Sequence, residues 1–419
     1  MGQKGSPCPK HKLWTSSNRG LGANSLMLMN GPRAKKAIDD NGLHALIAST
    51  TENVTYFSDY RSESQQYLRG KAFVVLEPNK LSDATLVVAI SEAKDIIAER
   101  LSWINNIRCY GQFFVESPTE NLTTAVEEEI RRLSSSVTVS DPLRLLVDVL
   151  KERRLHRGKI GIDELGFSPS EFAKLTQSLP DAEIREASSI IRQIRMVKTE
   201  EEIKRMTMAV KILESAYETV VSVAREGMSW KELVGMFNRK VWESGGIPAS
   251  TLIAIGKQAY LRATPSKSLQ RGDVVRFDPF AIYNYYYADT ARTAVVGEPS
   301  AKLSKYYQAI LEGEEVALKL VKPGARVSDI FSSAVEAVRK AGIPHYRRQH
   351  VGHGIGIEVY DPPVINASSQ IALEEGMILN LETPYHELGF GAIAVEDTIM
   401  VTSNGFKYLS ETSRELARL

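Results

Sequence analysis

The sequence predicts a protein of class α+β, built from mixed helices and strands in two domains. Its 419 residues exceed the usual size of one domain and allow two or three. With 43% apolar and 25% charged residues, the composition is that of an ordinary globular protein. Short apolar runs alternate with charged segments of helical periodicity along the chain. Together these observations favour two mixed domains.

The first elements predict a flexible leader and then a mixed α/β domain. Residues 1–25 are rich in Gly, Ser, Pro and Lys, without periodicity, and are expected to lie outside the fold. Residues 26–195 are expected to form the first domain, which opens with a helix near 33–41. Ser168 is expected to start a later helix. The apolar runs typical of buried strands are 43–48, 73–76, 86–90 and 159–163.

The second domain is expected to begin with a long helix. Thr199 and Glu202 have the spacing of a capping box, so a helix should start there. One apolar stripe follows at steps of three and four residues: Ile203, Met206, Val210, Leu213 and Tyr217. We therefore place the domain boundary at about residue 195, with the second domain over 196–419.

The rest of the second domain alternates helices and strands. Helices are expected near 203–224, 229–244, 301–321 and 328–341, with Gly342 as a helix stop. Strands are expected at 250–256, 273–278 and 286–296, and strand-rich sequence continues to the end. The tyrosine-rich run 283–287 has two interpretations, an aromatic binding patch or a hairpin with tyrosines on both faces.

Charge and cysteine content exclude several classes of function. Lys and Arg number 52 against 51 Asp and Glu, so the net charge of +1 favours neither nucleic acid nor an anionic membrane as a partner. No apolar run reaches the roughly 18 residues of a membrane span, and the N-terminus resembles no secretory signal, so we expect a cytoplasmic protein. Cys8 and Cys109 are the only cysteines, which leaves carboxylate and imidazole as metal ligands.

Four acids and two histidines of the second domain predict a metal site. Three of the acids close apolar, strand-like sequence (VVRFD, ILNLE and AIAVE), where a carboxylate is costly unless it is paired or binds a cation. A single acid of this kind is usually a satisfied polar residue, but four with a glycine-flanked histidine favour a metal centre. The candidate residues are Asp278, Asp289, His350, His353, Glu382 and Glu396.

These motifs resemble the creatinase/prolidase/aminopeptidase P group, peptidase family M24, over about residues 26–410. An Asp is followed 11 residues later by Asp-Thr-x-Arg-Thr; then come Gly-His-Gly-x-Gly, a Glu behind Glu-Gly-Met, and Glu-Asp-Thr. GLHALIASTTENVTYFSDY and IRQIRMVKTEEEIKRM are similar to the family's N-terminal opening and domain junction. The resemblance implies a pita-bread domain over 196–419, preceded by a smaller creatinase-type domain.

The resemblance also implies a chemistry. In the family pattern Asp289 and Glu396 bridge two divalent metals, Asp278 binds one, and His353 and Glu382 bind the other. Two divalent cations would balance four carboxylates, and such ligands suit Mn²⁺ first, with Co²⁺, Fe²⁺ or Zn²⁺ as alternatives. A water bridging the metals would attack a peptide or other amide bond, with Glu382 carrying the proton. His350 would line the substrate pocket, and the subunits would form a homodimer.

The substrate pocket departs from the family pattern at several positions. Arg262 and Tyr360 stand where the peptidases usually have histidines, and Ala394 replaces an arginine. We expect Arg262 to hold a substrate carboxylate and Tyr360 to donate to the oxyanion, so the substrate should be a small molecule or short peptide, with a free carboxylate. Arg292 is expected to anchor one of the ligand carboxylates.

Three functions remain open from the sequence. The first is a dinuclear metal hydrolase related to Xaa-Pro dipeptidases, with altered specificity. The second is metal-assisted chemistry of another kind on the same fold, such as amidine hydrolysis or a lyase elimination on a small carboxylated metabolite. The third is a non-catalytic binding protein, which complete retention of the ligand set disfavours.

Overall fold

The computed structural model describes residues 27–116 and 124–419. The expected leader over 1–25 and Cys8 lie outside the described residues. The α-helices of the described ranges are α1 (Gly31–Asp40), α2 (Thr51–Ser58), α3 (Glu63–Tyr67), α4 (Ile90–Glu99), α5 (Ala125–Ser136), α6 (Pro142–Glu152), α7 (Pro169–Ser178), α8 (Ser188–Arg195), α9 (Glu200–Val223), α10 (Trp230–Glu243), α11 (Ala301–Leu320) and α12 (Val327–Ala341).

The strands of the same ranges belong to five sheets. They are β1 (Ala45–Ala48), β2 (Phe73–Leu76), β3 (Thr85–Ala89), β4 (Asn106–Tyr110), β5 (Lys159–Ile162), β6 (Glu183–Glu186), β7 (Ile247–Ser250), β8 (Ile253–Ile255), β9 (Val274–Phe277), β10 (Phe280–Tyr283), β11 (Tyr286–Asp289), β12 (Arg292–Val295), β13 (Gly352–Gly354), β14 (Asp361–Val364), β15 (Ile378–Glu382), β16 (Tyr385–Glu387), β17 (Gly391–Ile393), β18 (Glu396–Val401), β19 (Phe406–Tyr408) and β20 (Ala417–Arg418).

The first half of the chain forms one mixed sheet in the order β4-β3-β2-β1-β5-β6. Both faces of its central strands are buried, because Ala45 and Ile47 pack into one apolar cluster while Leu46 and Ala48 pack into another. Burial on both faces explains why these strands appear in the sequence as continuous apolar runs.

The second half folds into several smaller sheets flanked by paired helices. The largest sheet has the order β14-β13-β15-β18-β19, and a second has the order β20-β12-β9-β8. Helix α9 packs along α10, and α11 packs along α12. One apolar cluster continues from Leu46 of the first sheet to Leu213 of α9, so the two halves share a core.

The expected helix starts are confirmed. Ser168 and Thr199 cap α7 and α9, each in a capping box with the glutamate three residues later, and Gly342 ends α12 with a φ of 142°. The tyrosine-rich run is a hairpin, in which Tyr283 of β10 pairs with Tyr286 of β11. None of the helices in the described ranges is long and apolar enough to cross a membrane.

The prediction of a single strand over 286–296 is wrong. The segment contains two strands, β11 and β12, which belong to different sheets, since β11 pairs with β10 while β12 pairs with β9. Thr290 and Ala291 connect them, and Ala291 forms a bridge to Glu396 of β18. The strand is interrupted at Thr290 and Ala291 because the chain passes there from one sheet to another, beside the predicted metal ligands.

Candidate metal centre

Neighbouring strands bring the predicted metal ligands together. Glu382 at the end of β15 is the direct partner of Glu396 at the start of β18. On the other side of β15, His353 of β13 pairs with Asn380. Asp289 ends β11, and its backbone carbonyl accepts hydrogen bonds from Asn380 Nδ2 at 2.9 Å and from Thr398 at 3.1 Å.

Asp289, His353 and Glu396 form the most compact group. One ligand atom from each lies within 4.8 Å of the others, and all three residues are buried. His353 Nε2 lies 3.8 Å from Asp289 Oδ2 and 4.0 Å from Glu396 Oε1. Asp289 Oδ1 is buried without a hydrogen-bond partner, an expensive state for a carboxylate that no cation or proton compensates.

The pKa values of the acids express their crowding. Burial is the main reason that the pKa of Asp278 is raised to about 6. The positive charge of Arg276 lowers this pKa, and the negative charge of Glu382 raises it. Burial and the neighbouring carboxylates raise the pKa values of Asp289 and Glu396 further. Burial and mutual repulsion therefore favour the protonated forms of these acids, and a bound divalent cation would relieve the repulsion.

His353 is oriented as a ligand. Its Nδ1 lies 2.9 Å from the carbonyl oxygen of Gly354 and can donate to it, which leaves Nε2 as the acceptor directed at the two acids. Burial lowers the pKa of His353, so the imidazole is neutral, the form that binds metals. The orphaned Asp289 oxygen, the oriented imidazole and the oxygen-rich donor set therefore fit divalent cations.

The glycines around His353 are required by close backbone packing. A Cβ at Gly352 would lie 2.1 Å from the carbonyl oxygen of Asn380, and one at Gly354 would lie 2.3 Å from that of Pro362. A phosphate loop is the alternative role for such glycines, but β13 pairs with strands on both sides and no helix follows it. The glycines here allow the strands to approach at His353, the predicted ligand.

Glu382 extends the group on its open side. His350 Nδ1 lies 3.1 Å from Glu382 Oε1, without the alignment of a full hydrogen bond, and Arg348 Nη2 lies 3.4 Å from Oε2. Burial raises the pKa of Glu382, but the neighbouring His350 and the charge of Arg348 more than offset it and leave the pKa lowered. Glu382 is therefore the acid of the group that most readily stays ionised.

Tyr360 lies over the site. Its ring stacks on that of His353 with centroids 3.8 Å apart, and the ring of His350 meets it edge-on at 5.8 Å. Burial and the charges of Glu382 and Glu396 raise the pKa of Tyr360, which keeps its hydroxyl protonated. Although the residue is 43% exposed, its place beside both histidines puts a donor at the entrance of the site.

A buried ionic junction holds the loop that carries Tyr360. Arg195, almost fully buried, pairs with Glu358 and Asp361 on either side of Tyr360 and donates to Asn53 Oδ1 at 2.5 Å. Arg192 Nη2 donates to the Tyr360 carbonyl oxygen at 2.5 Å. The first half of the chain thus fixes a loop of the site.

Arg292 contacts the site differently from the expectation. It donates to the backbone carbonyl of Glu396 at 2.6 Å and to the carboxylate of Asp397 at 2.6 Å, not to a predicted ligand carboxylate. The reason is strand alternation, since Glu396 and Asp397 point to opposite faces of β18. Arg292 therefore supports Glu396 through its backbone.

Arg262 lies on an exposed loop near the site. Its side chain has no hydrogen bond or ion pair among the described residues. The preceding carbonyl of Leu261 accepts from Arg276 Nη2 at 2.9 Å, and Arg276 Nη1 pairs with Asp278. Three basic residues near Asp278 and Glu382, namely Arg276, Arg348 and His386, were not among the predicted site residues. Arg276 precedes Asp278 by two positions, a spacing that places both on one strand face.

Comparison with known proteins identifies the family. The family model for the creatinase/prolidase N-terminal domain matches residues 32–197, and that for metallopeptidase family M24 matches residues 204–403. The Xaa-Pro dipeptidase of Pyrococcus furiosus is 32% identical over 238 residues, which cover 56% of this chain and 68% of that protein. The Xaa-Pro dipeptidase of Lactobacillus helveticus is 29% identical, with 66% of this chain and 77% of that protein covered.

Comparison with solved structures finds the same fold in related proteins. The prolidase of Pyrococcus furiosus has a TM-score of 0.71 and 25% identity, covering 91% of this chain and 100% of that chain. The Xaa-Pro dipeptidase of Bacillus anthracis has a TM-score of 0.76 at 22% identity, covering 93% and 99%. The chain belongs to metallopeptidase family M24, and the expected hydrolase class and fold, a creatinase-type domain followed by a pita-bread domain, are confirmed.

Proposed function

We propose that this protein hydrolyses the peptide bond of short peptides that carry a free carboxylate, with Xaa-Pro dipeptides as the first substrates to test. The observation that supports the proposal is the buried group of Asp289, His353 and Glu396, extended by Asp278 and Glu382. Relatives named Xaa-Pro dipeptidase indicate the same chemistry. The substrate pocket remains the part of this proposal in which the chain differs most from the family pattern.

The five residues would hold two divalent cations, with Mn²⁺ as the first candidate. Four carboxylates carry four negative charges when ionised, which two such cations balance, whereas one would leave a repulsive surplus. When bound, divalent cations lower the pKa of water and polarise a carbonyl group. That one imidazole accompanies four carboxylates favours Mn²⁺ over softer metals, with Co²⁺, Fe²⁺ and Zn²⁺ as alternatives.

The chain's own residues would divide the remaining work. Glu382, the acid with the lowered pKa, would accept the proton of the attacking water and deliver it to the leaving nitrogen. His350, 3.1 Å from Glu382, would bind the scissile group. Tyr360 would donate its hydroxyl proton in a hydrogen bond to the oxygen on which charge develops. Arg262 would bind a substrate carboxylate from its exposed loop.

Hydrolysis of a dipeptide panel tests the proposal. The protein is reconstituted with Mn²⁺ and assayed against Xaa-Pro dipeptides, dipeptides without proline and N-acyl amides. Cleavage of Xaa-Pro dipeptides supports the proposal, and loss of that cleavage in Glu382→Gln, with bound metal retained, supports the role of Glu382. Cleavage of N-acyl amides alone would favour non-peptidase chemistry, and no cleavage of any panel member would refute the proposal. The homodimer, the cytoplasmic location and the boundary near residue 195 stay predictions.

A further inference from the structure

The wall of the site beside Asp278 and Glu382 is basic. Arg276 is buried and pairs with Asp278, while Arg348 Nη2 lies 3.4 Å from Glu382 Oε2 with only 13% of its side chain exposed. His386 lies near both guanidiniums. We call Arg276, Arg348 and His386 the basic wall. Buried arginines beside metal ligands require an explanation, because their charge opposes that of the cations.

The two arginines of the basic wall differ in what they bind. Arg276 has a partner at each of its nitrogens, since Nε donates to Ala259 at 3.0 Å, Nη2 donates to Leu261 and Nη1 pairs with Asp278. Within the described part of the chain, Arg348 has one polar contact, the long one with Glu382, and its Nε is buried without a hydrogen-bond partner. A buried donor left unpaired is costly, so Arg348 has unused capacity for an acceptor.

His386 adds an uncharged partner to this wall. It lies in β16, where alternation turns it away from the side of Tyr385, whose hydroxyl contacts His345 and Glu387. His386 remains accessible to solvent, yet the surrounding protein and the charges of Arg276 and Arg348 lower its pKa to about 4. Its imidazole is therefore neutral at pH 7.

With two divalent cations bound, the charge balance of the site favours binding of an anion. The two cations would neutralise the four carboxylates, so Arg276 and Arg348 would leave two surplus positive charges in a largely buried place. Such a surplus is costly unless an anion of the substrate compensates it. The planar fork of an arginine matches a carboxylate better than any other basic side chain does.

We propose that Arg348 binds the terminal carboxylate of the substrate. The inference rests on the proposed function, whose substrates carry a free carboxylate, and it assigns the main carboxylate contact to Arg348 instead of the exposed Arg262. Arg276 keeps Asp278 and the loop of Leu261 in place. The substrate class is a short peptide or related amide with a free carboxylate beside the scissile bond.

The test compares a carboxylate with the matching amide. For the Mn²⁺-loaded protein, kcat and KM are measured for Ala-Pro and for Ala-Pro amide, and calorimetry measures the affinity for L-proline and for L-prolinamide, which do not react. Arg348→Gln removes the charge, and Arg348→Lys keeps a charge beside Glu382 but removes the fork. Arg347→Gln is the control, because Arg347 is the adjacent exposed arginine.

Both Arg348 variants should raise KM for Ala-Pro and weaken L-proline binding by about tenfold or more, with the larger effect in Arg348→Gln. Because Arg348 also lies beside Glu382, any loss of kcat should be the same for Ala-Pro and for Ala-Pro amide. In the Arg348 variants, KM for Ala-Pro amide and the affinity for L-prolinamide should stay within about twofold, as should all values in Arg347→Gln. Equal changes of KM and of affinity for carboxylate and amide would overturn the proposal, because Arg348 would then act only through Glu382. If the protein cleaves no dipeptide but still binds L-proline through Arg348, the proposed function fails and the carboxylate site stands.

Discussion

Replacing Arg195 with methionine should destabilise the protein strongly. The guanidinium is 1% exposed and pairs with Asp361, which is equally buried, and with Glu358. In Arg195→Met, Lys198 would be the one ion-pair partner left to Asp361 within residues 27–116 and 124–419, with its Nζ 3.5 Å away. Removing one partner of a buried ion pair costs about 3–5 kcal/mol when the other charge loses its compensation, and Lys198 at this longer distance replaces only part of it. We expect the free energy of unfolding to fall by that amount.

Urea unfolding at pH 7, followed by circular dichroism, measures the loss. The control is Arg185→Met, because Arg185 pairs with Glu183 on the surface, where both side chains are more than half exposed and a pair contributes about 1 kcal/mol at most. A loss in Arg195→Met no larger than that of the control would refute the reasoning.

Three further predictions concern the strand at the ligand histidine, the proposed donor and a buried acid. Gly352→Ala should lower the free energy of unfolding by at least about 2 kcal/mol, because Gly352 has a φ of +146° and the new Cβ would meet the carbonyl oxygen of Asn380. The control Gly235→Ala places its Cβ in open space on α10 and should stabilise the protein by about 0.5–1 kcal/mol. Similar urea midpoints for the two variants would contradict this prediction. Tyr360→Phe should lower kcat about 100-fold or more with little change in KM, and an unchanged kcat in steady-state assays would remove the hydroxyl from the reaction. Burial raises the pKa of Glu202 from 4.5 to about 7, so the folded state binds the proton of Glu202 more tightly than the unfolded state does. The stability contributed by this proton binding is lost as pH rises through 7. Relative to Glu202→Gln, the wild type should therefore lose about 3 kcal/mol of stability between pH 4 and pH 8 in urea titrations, and a constant difference would show that Glu202 does not titrate in this way.

Much of this architecture is visible in the sequence because local signals determine it. Capping residues such as Ser168 and Thr199 begin their helices where the spacing predicts, and apolar runs become the buried strands of the first sheet. The predicted ligand acids stand out because three of them close apolar strands, where an uncompensated carboxylate is costly. These features depend on residues close in sequence.

Features that depend on distant pairing are less visible. The break between β11 and β12 follows from the exchange between two sheets, which no local pattern announces. Arg195 lies in a charge-dense segment typical of a solvated helix face, but its partners are 163 and 166 residues away. Arg348 likewise reaches Glu382 only after segments 34 residues apart have folded together.

Metal content tests the central claim most directly. The protein is reconstituted with Mn²⁺ or Co²⁺, freed of unbound ions by gel filtration and analysed by inductively coupled plasma mass spectrometry, beside Asp289→Asn and the distant surface variant Arg185→Met. We expect about two ions per chain in the wild type and in Arg185→Met, and fewer in Asp289→Asn, because Asp289 is predicted to bridge both ions. A wild type without stoichiometric metal, or an Asp289→Asn variant with the same content, would contradict the account.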